Sequence, residues 1–248
     1  MIAIVDYGAG NIRSVVNALK RSLGSARDDS RVISTEAARP SGEISQILLT
    51  ADPAVLRAAD KVILPGVGEA STAMKALQEC GLADVIPTLK QPVLGICVGA
   101  QLMCAGSEEG DTRCMGIFPA EVRRFKQTAT EKVPHMGWNS LRILSCPLSN
   151  WNNLRPLSCR PSKACGDISN ETTPTMIPSP LFTGLKDGDY VYFVHSYYPE
   201  VCADTIATAT HGVEFSAALA RDNFFACQFH PEKSGTTGEQ ILKNFLSL

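Results

Sequence analysis

Residues Gln91 to Gln101 read Q-P-V-L-G-I-C-V-G-A-Q, an apolar run that stops at a cysteine held between two glycines. Few folds accommodate such a segment. Pro92 to Ile96 suits a strand buried on both faces, which is the situation of a parallel sheet covered by helices. Leu102-Met103-Cys104-Ala105 beyond the turn suits the start of a helix. Cys97 is then expected at the strained tip between them, with Gly95 and Gly99 in the G-x-C-x-G spacing that is the thiol version of the G-x-S-x-G nucleophile elbow. A thiol there lies at a helix N-terminus, whose partial positive charge favours thiolate. The Val98 N–H, unpaired by the helix, is placed to donate to a reacting oxyanion.

A nucleophile needs a base, and the chain offers four histidines: His135, His195, His211 and His230. His230 closes the aromatic-rich strand candidate Phe224-Phe225-Ala226-Cys227-Gln228-Phe229. Pro231 stops that strand, because proline donates no ladder hydrogen bond. Glu232, two residues on, is within reach to hold the imidazole tautomer, so Cys97, His230 and Glu232 form a candidate nucleophile, base and orienter. A lone buried cysteine is more often a small core residue than a nucleophile. The combination is far more specific than any one member.

The rest of the chain alternates between strand and helix signals. Ile2 to Val5 reads as a first strand, and Asn11 to Leu23 carries Ile12, Val15, Val16, Leu19 and Leu23 at helical spacing. Ile44 to Leu49 is expected as a second strand, Pro53 to Ala59 as a short helix, and Val62 to Leu64 as a third strand. This order predicts an α/β, doubly wound, mostly parallel sheet with helices on both faces and functional groups at the carboxyl ends of strands. In the second half, Arg142 to Leu144, Tyr190 to Val194, Thr205 to Thr210, Ala217 to Ala220 and Phe224 to Gln228 look richer in antiparallel strands. Gln240 to Leu246 closes with a helix. With 248 residues and 44% hydrophobic content, a single domain with a substantial core is expected.

At this point the sequence resembles the class I (triad-type) glutamine amidotransferases. Besides the elbow and the H-P-E block, the resemblance is carried by Asp6-Tyr7-Gly8-Ala9-Gly10-Asn11, Pro65-Gly66-Val67-Gly68, Ser107-Glu108-Glu109-Gly110, Pro134-His135-Met136-Gly137-Trp138-Asn139 and Tyr192-Phe193-Val194-His195-Ser196-Tyr197. The opening block, the P-G-V-G and the P-H-M-G-W-N point to the branch of the family that serves histidine biosynthesis. The resemblance implies hydrolysis of glutamine to glutamate and ammonia through a glutamyl thioester on Cys97, with His230 moving the protons and Glu232 orienting it. It places an oxyanion hole at Val67 and Val98, flanked by Gly66 and Gly68. It assigns Gln101, Glu109, Ser196 and Tyr197 to the amino-acid end of glutamine. His195 is expected to be structural.

The same resemblance implies a partner: a cyclase of the (β/α)8-barrel type that takes the ammonia and makes imidazole glycerol phosphate and AICAR. Asn11, Met136, Trp138, Tyr192 and Lys233 match positions that contact the barrel or border the ammonia path. Ala9 stands where some relatives have proline. No cofactor is expected.

Residues 24–43 and 145–178 depart from the compact pattern. They are rich in Ser, Pro, Asp and Asn and read as surface loops. Cys146, Cys159 and Cys165 lack the short paired spacings of zinc sites, so no metal is expected. The nine cysteines include no C-x-x-C pair, and free thiols in a reducing, cytoplasmic compartment are expected. A formal net charge of −2 gives no electrostatic reason for a nucleic-acid partner, and no apolar run is long enough to span a bilayer. The alternatives are a glutaminase of another biosynthetic amidotransferase, a stand-alone gamma-glutamyl hydrolase, or a non-enzymatic module that keeps the fold. The last predicts loss of a triad member, and none is lost.

Overall fold

A computed structural model of the chain describes residues 1–8, 12–23, 47–129, 131–147 and 176–248. Asn11, Ala9 and most of both proposed insertions lie outside the described residues.

The central sheet has eight strands. Five run parallel, in the spatial order β2 (Ile47–Thr50), β1 (Ile2–Val5), β3 (Lys61–Leu64), β4 (Val93–Ile96) and β16 (Phe224–Cys227). The sheet continues antiparallel through β15 (Val213–Arg221), β14 (Thr205–His211) and β9 (Arg142–Ile143). Strands β1, β3, β4 and β16 are buried at every position, which explains why they read as apolar runs without alternation. Strand β16 is the joint between the two halves, parallel to β4 and antiparallel to β15. The expected doubly wound α/β architecture with an antiparallel second half is what the chain adopts.

Helices α1 (Ile12–Ser22), α2 (Pro53–Ala58), α3 (Ala70–Glu79), α4 (Val98–Leu102) and α5 (Gly235–Ser247) cover the sheet. In α1, Val15, Val16, Ala18 and Leu19 are buried while Lys20 and Arg21 complete its last turn, the face division that its spacing predicts. Asp52 caps α2 by accepting from the Ala54 N–H at 2.7 Å, with Pro53 in the first turn.

Of the three smaller sheets among the described residues, two carry residues singled out above. One is a four-stranded sheet in the order β13 (Tyr197–Pro199), β7 (Glu121–Arg124), β5 (Gly106–Ser107) and β6 (Thr112–Arg113). The other is an antiparallel ribbon of β8 (His135–Ser140) and β12 (Tyr190–His195), in which Trp138 faces Tyr192 and His135 faces His195. The ends of the second insertion are themselves strands. Ser145–Pro147 (β10) pairs antiparallel with Met176–Pro178 (β11), so the expected loop is closed at its base by a ladder.

Helix α5 begins five residues before the expected Gln240, at Gly235. Gly-Thr-Thr-Gly is a poor helix sequence by propensity, and packing overrides it. A Cβ on Gly238 would lie 1.9 Å from the Pro231 carbonyl oxygen, so only glycine lets α5 sit against the Pro231–Lys233 turn. Ile241, Leu242 and Phe245 then reach the core. Gly238→Ala must push that turn away, and it is expected to cost about 1–3 kcal/mol, the usual range for overpacking. Chemical denaturation measures it, and an unchanged midpoint would show that the contact yields freely.

Candidate active site

Strand β4 ends at Ile96, and Cys97 turns the chain into α4 with φ 54° and ψ −112°. A positive φ on a residue with a Cβ is costly. It is held by neighbours on both sides. The Cys97 N–H donates to the Cys227 carbonyl at 2.8 Å, and the Cys97 carbonyl accepts from Ala100 and Gln101 at 3.0 and 3.1 Å.

The glycines around it have spatial reasons. A Cβ on Gly99 would lie 2.0 Å from the Leu64 carbonyl oxygen, and one on Gly66 would lie 2.2 Å from the Gly99 nitrogen. The end of β3 and Pro65-Gly66 therefore lie directly on the elbow, backbone against backbone. Gly68 takes φ +93°, and Val67 between the two glycines is more than a third exposed. The Val98 N–H is the first of α4 and has no preceding turn to bond. Tyr7, at the end of β1, donates its hydroxyl to the Pro65 carbonyl at 2.8 Å. Burial and then the nearby Cys97 raise the Tyr7 phenol above its ordinary range, so it stays a neutral donor.

His230 lies just past the end of β16, adjacent to β4, and is buried beside Cys97. Its Nδ1 faces Glu232 Oε1 at 2.8 Å, with both side chains almost fully enclosed. That leaves Nε2 for the sulfur. Glu232 Oε2 is buried without a hydrogen-bond partner among the described residues, so the imidazole is what compensates this carboxylate. Burial opposes the imidazolium, but hydrogen bonds and charge from Cys97 and Glu232 outweigh it and push His230 up to about 9. The three residues named from the sequence are brought together.

The substrate candidates have the following surroundings. Gln101 is buried and uses both amide hydrogens inside the protein, donating at 2.9 Å to the Tyr197 carbonyl and at 2.9 Å to Gln228 Oε1. Glu109 accepts from the Ala70 N–H at the start of α3 at 2.7 Å. Burial raises its carboxyl, partly offset by that bond. Ser196 and Tyr197 are half-buried where β12 passes into β13.

His195 donates from Nδ1 to the Tyr197 carbonyl at 2.7 Å, and its Nε2 accepts from His135 Nδ1 at 3.0 Å. Burial pushes His195 down to about 3 and His135 down to about 4. Both are neutral imidazoles, in line with the structural role expected for His195. Of the interface candidates, Met136 and Trp138 are 63% and 55% exposed on the outer face of β8. Tyr192 meets Trp138 edge-on with ring centroids 5.9 Å apart, and Lys233 is exposed on the turn after His230. The backbone of Tyr192 is joined to His230, accepting from its N–H at 2.9 Å, and donates to Ser234 Oγ at 2.9 Å.

Tyr7 and Gln228 lie within the quoted blocks but carry no assigned role from sequence. Their partners are distant in the chain, and no spacing rule reveals them. Cys80, Cys97, Cys104, Cys114, Cys202 and Cys227 are free thiols, and no metal-ligating cluster occurs among the described residues. No helix among the described residues is long and apolar enough to cross a membrane.

Residues 3–248 match the family described as glutamine amidotransferase class-I, and the chain belongs to that family. It is 44% identical to the imidazole glycerol phosphate synthase subunit HisH of Bacteroides thetaiotaomicron, over 100% of this chain and 99% of that one. It is 38% identical to the protein of the same name from Gloeobacter violaceus, over 99% of this chain and 88% of that one. Among solved structures, the glutaminase domain of Trypanosoma brucei CTPS superimposes with a TM-score of 0.57 at 15% identity, covering 99% of this chain and 90% of that chain. That likeness concerns the fold alone.

The raised His230 has a consequence for stability. Its folded value of about 9 exceeds the ordinary 6.5, so its contribution is complete below about 6.5 and is lost as pH rises through about 9. Glu232→Gln removes one of the charges that raises it. Thermal melts across this window are expected to show a shallower decline for the variant than for the native chain. Parallel declines would mean that Glu232 does not hold the imidazolium.

Proposed function

We infer that this chain is the glutaminase subunit of an imidazole glycerol phosphate synthase. The observation that carries the reading is the enclosed Cys97–His230–Glu232 constellation, hydrogen-bonded through the Tyr192 backbone to an exposed aromatic ribbon. Relatives over the full length bear that subunit name.

Glutamine binds with its ammonium group at Glu109 and its amino-acid end against Gln101, Ser196 and Tyr197. The Cys97 thiolate attacks the side-chain amide carbon, and the oxyanion receives the N–H groups of Val67 and Val98. The His230 imidazolium gives its proton to the departing nitrogen as the C–N bond breaks, leaving ammonia and a thioester. Neutral His230 then takes a proton from water, whose oxygen attacks the thioester carbon. Collapse breaks the C–S bond, which restores the Cys97 thiolate beside the His230 imidazolium, and the released side-chain carboxylic acid gives its proton to solvent as glutamate. Covalent catalysis thus divides one difficult amide hydrolysis into two easier steps.

Free ammonia is protonated in neutral water and loses its nucleophilicity, so it must be handed on directly. The partner is a (β/α)8-barrel cyclase, which docks on the face carrying Met136, Trp138, Tyr192 and Lys233. An exposed tryptophan and methionine side by side suit a protein interface. A thiolate nucleophile suits a reducing compartment such as the cytoplasm.

Glutamate release from glutamine, measured for the chain alone and then with the barrel partner and its nucleotide ligand, tests this reading. Weak release alone and a rise of orders of magnitude in the complex are expected. Vigorous release without a partner would instead identify a stand-alone hydrolase. Cys97→Ala is expected to abolish glutamine-driven synthesis in the complex while leaving synthesis from added ammonium intact. Loss of both would contradict the division of labour.

A further inference from the structure

We propose that Gln228 is a further catalytic residue, an amide donor that holds and stabilises the Cys97 thiolate in addition to His230. The proposal rests on Cys97 being the nucleophile of the glutaminase inferred above. Gln228 follows β16, is 1% exposed, and directs Nε2 at the Cys97 sulfur from 3.9 Å. That is a long contact for a neutral thiol. Hydrogen bonds to an ionised acceptor are shorter and stronger than those to a neutral one, so the contact tightens when the sulfur carries charge.

The direction of the amide is dictated by its neighbours. The Tyr197 carbonyl offers only lone pairs, and it already accepts the His195 Nδ1–H at 2.7 Å. Gln101 must therefore present its nitrogen to that carbonyl at 2.9 Å. The second hydrogen of the same nitrogen goes to Gln228 Oε1 at 2.9 Å. Reversing Gln228 would set two NH2 groups against each other and aim a carbonyl oxygen at the sulfur, so its N–H groups face Cys97.

The imidazoles upstream obey the same polarity. With Nδ1 of His195 donating, its Nε2 accepts from His135 Nδ1, and His135 Nε2 accepts from Asn139 Nδ2 at 3.3 Å. Buried and neutral, these groups form a fixed scaffold behind the amide. Gln228 is thus pre-oriented before any substrate arrives, which is what makes a buried donor effective. An anionic sulfur that meets both the His230 imidazolium and the Gln228 N–H has two donors. Without Gln228 it depends on His230 alone.

The test uses the full chain in complex with the barrel partner and its nucleotide ligand. Gln228→Met keeps the volume and removes the donor. Gln228→Glu keeps the acceptor for Gln101 and replaces the donor with an anion. For the methionine variant, kcat for glutamate release is expected to fall about tenfold to a hundredfold, with KM for glutamine within about threefold of the native value. Inactivation of Cys97 by iodoacetamide at neutral pH should slow about tenfold, because the variant no longer offers the sulfur an N–H. The glutamate variant should be slower still in both assays. Synthesis from added ammonium reports on folding and assembly, and if the methionine variant loses it, the nearly isosteric glutamate variant decides.

A fall in kcat with the alkylation rate unchanged at neutral pH would reduce Gln228 to a packing residue. A raised KM with kcat intact would make it a substrate contact instead. Either result overturns the proposal. Failure of the native complex to release glutamate would defeat the glutaminase reading and not the donor, because the alkylation rate tests the contact to sulfur independently of the substrate.

Discussion

The in-register parallel pairing of β4 with β16 is the interaction on which the site depends. Ile96 lies beside Cys227, and the next residue on one strand is Cys97, the proposed nucleophile, tied to its neighbour by the bond from the Cys97 N–H to the Cys227 carbonyl. His230 follows shortly after on the second strand. A slip of one residue would turn the side chains of either strand to the opposite face of the sheet. Burial on both faces removes that freedom, since each register places different apolar side chains under different helices. The chemistry inherits its alignment from sheet packing.

Three of the four histidines show how environment separates roles. His135 loses its charge to burial against Phe125 and Phe193 and to the neighbouring His211, and His195 to burial against Phe125 and Phe215 and to His135, His211 and His230. His230 is buried as well, yet a carboxylate on one nitrogen and a sulfur on the other reverse the outcome. Burial alone predicts a neutral imidazole in every case. Partner chemistry, not depth, selects the residue that carries protons.

The sequence made the elbow, the H-P-E block and the buried strands legible because each is a local pattern. Cys97, His230 and Glu232 could be named from spacing and residue type, and their convergence follows from the fold those same strands imply. The start of α5 was not legible, because Gly235-Thr236-Thr237-Gly238 has the composition of a loop and becomes helical only through its contact with Pro231. The pairing of β10 with β11 was hidden by the length of chain between them. Tyr7 and Gln228 illustrate the deeper limit. The hydrogen bonds that give them meaning, to Pro65 and to Cys97, span distant parts of the chain, and residue type alone does not state a partner.

Cys97 carries a positive φ that glycine would adopt without penalty. The fold therefore gives up stability at the one position where a side chain must be presented. Selection for robustness alone would drift toward glycine there and yield a sturdier, inert protein. The nucleophile persists only where catalysis is under selection, so the residue at this turn separates a working enzyme from a scaffold that has kept its shape.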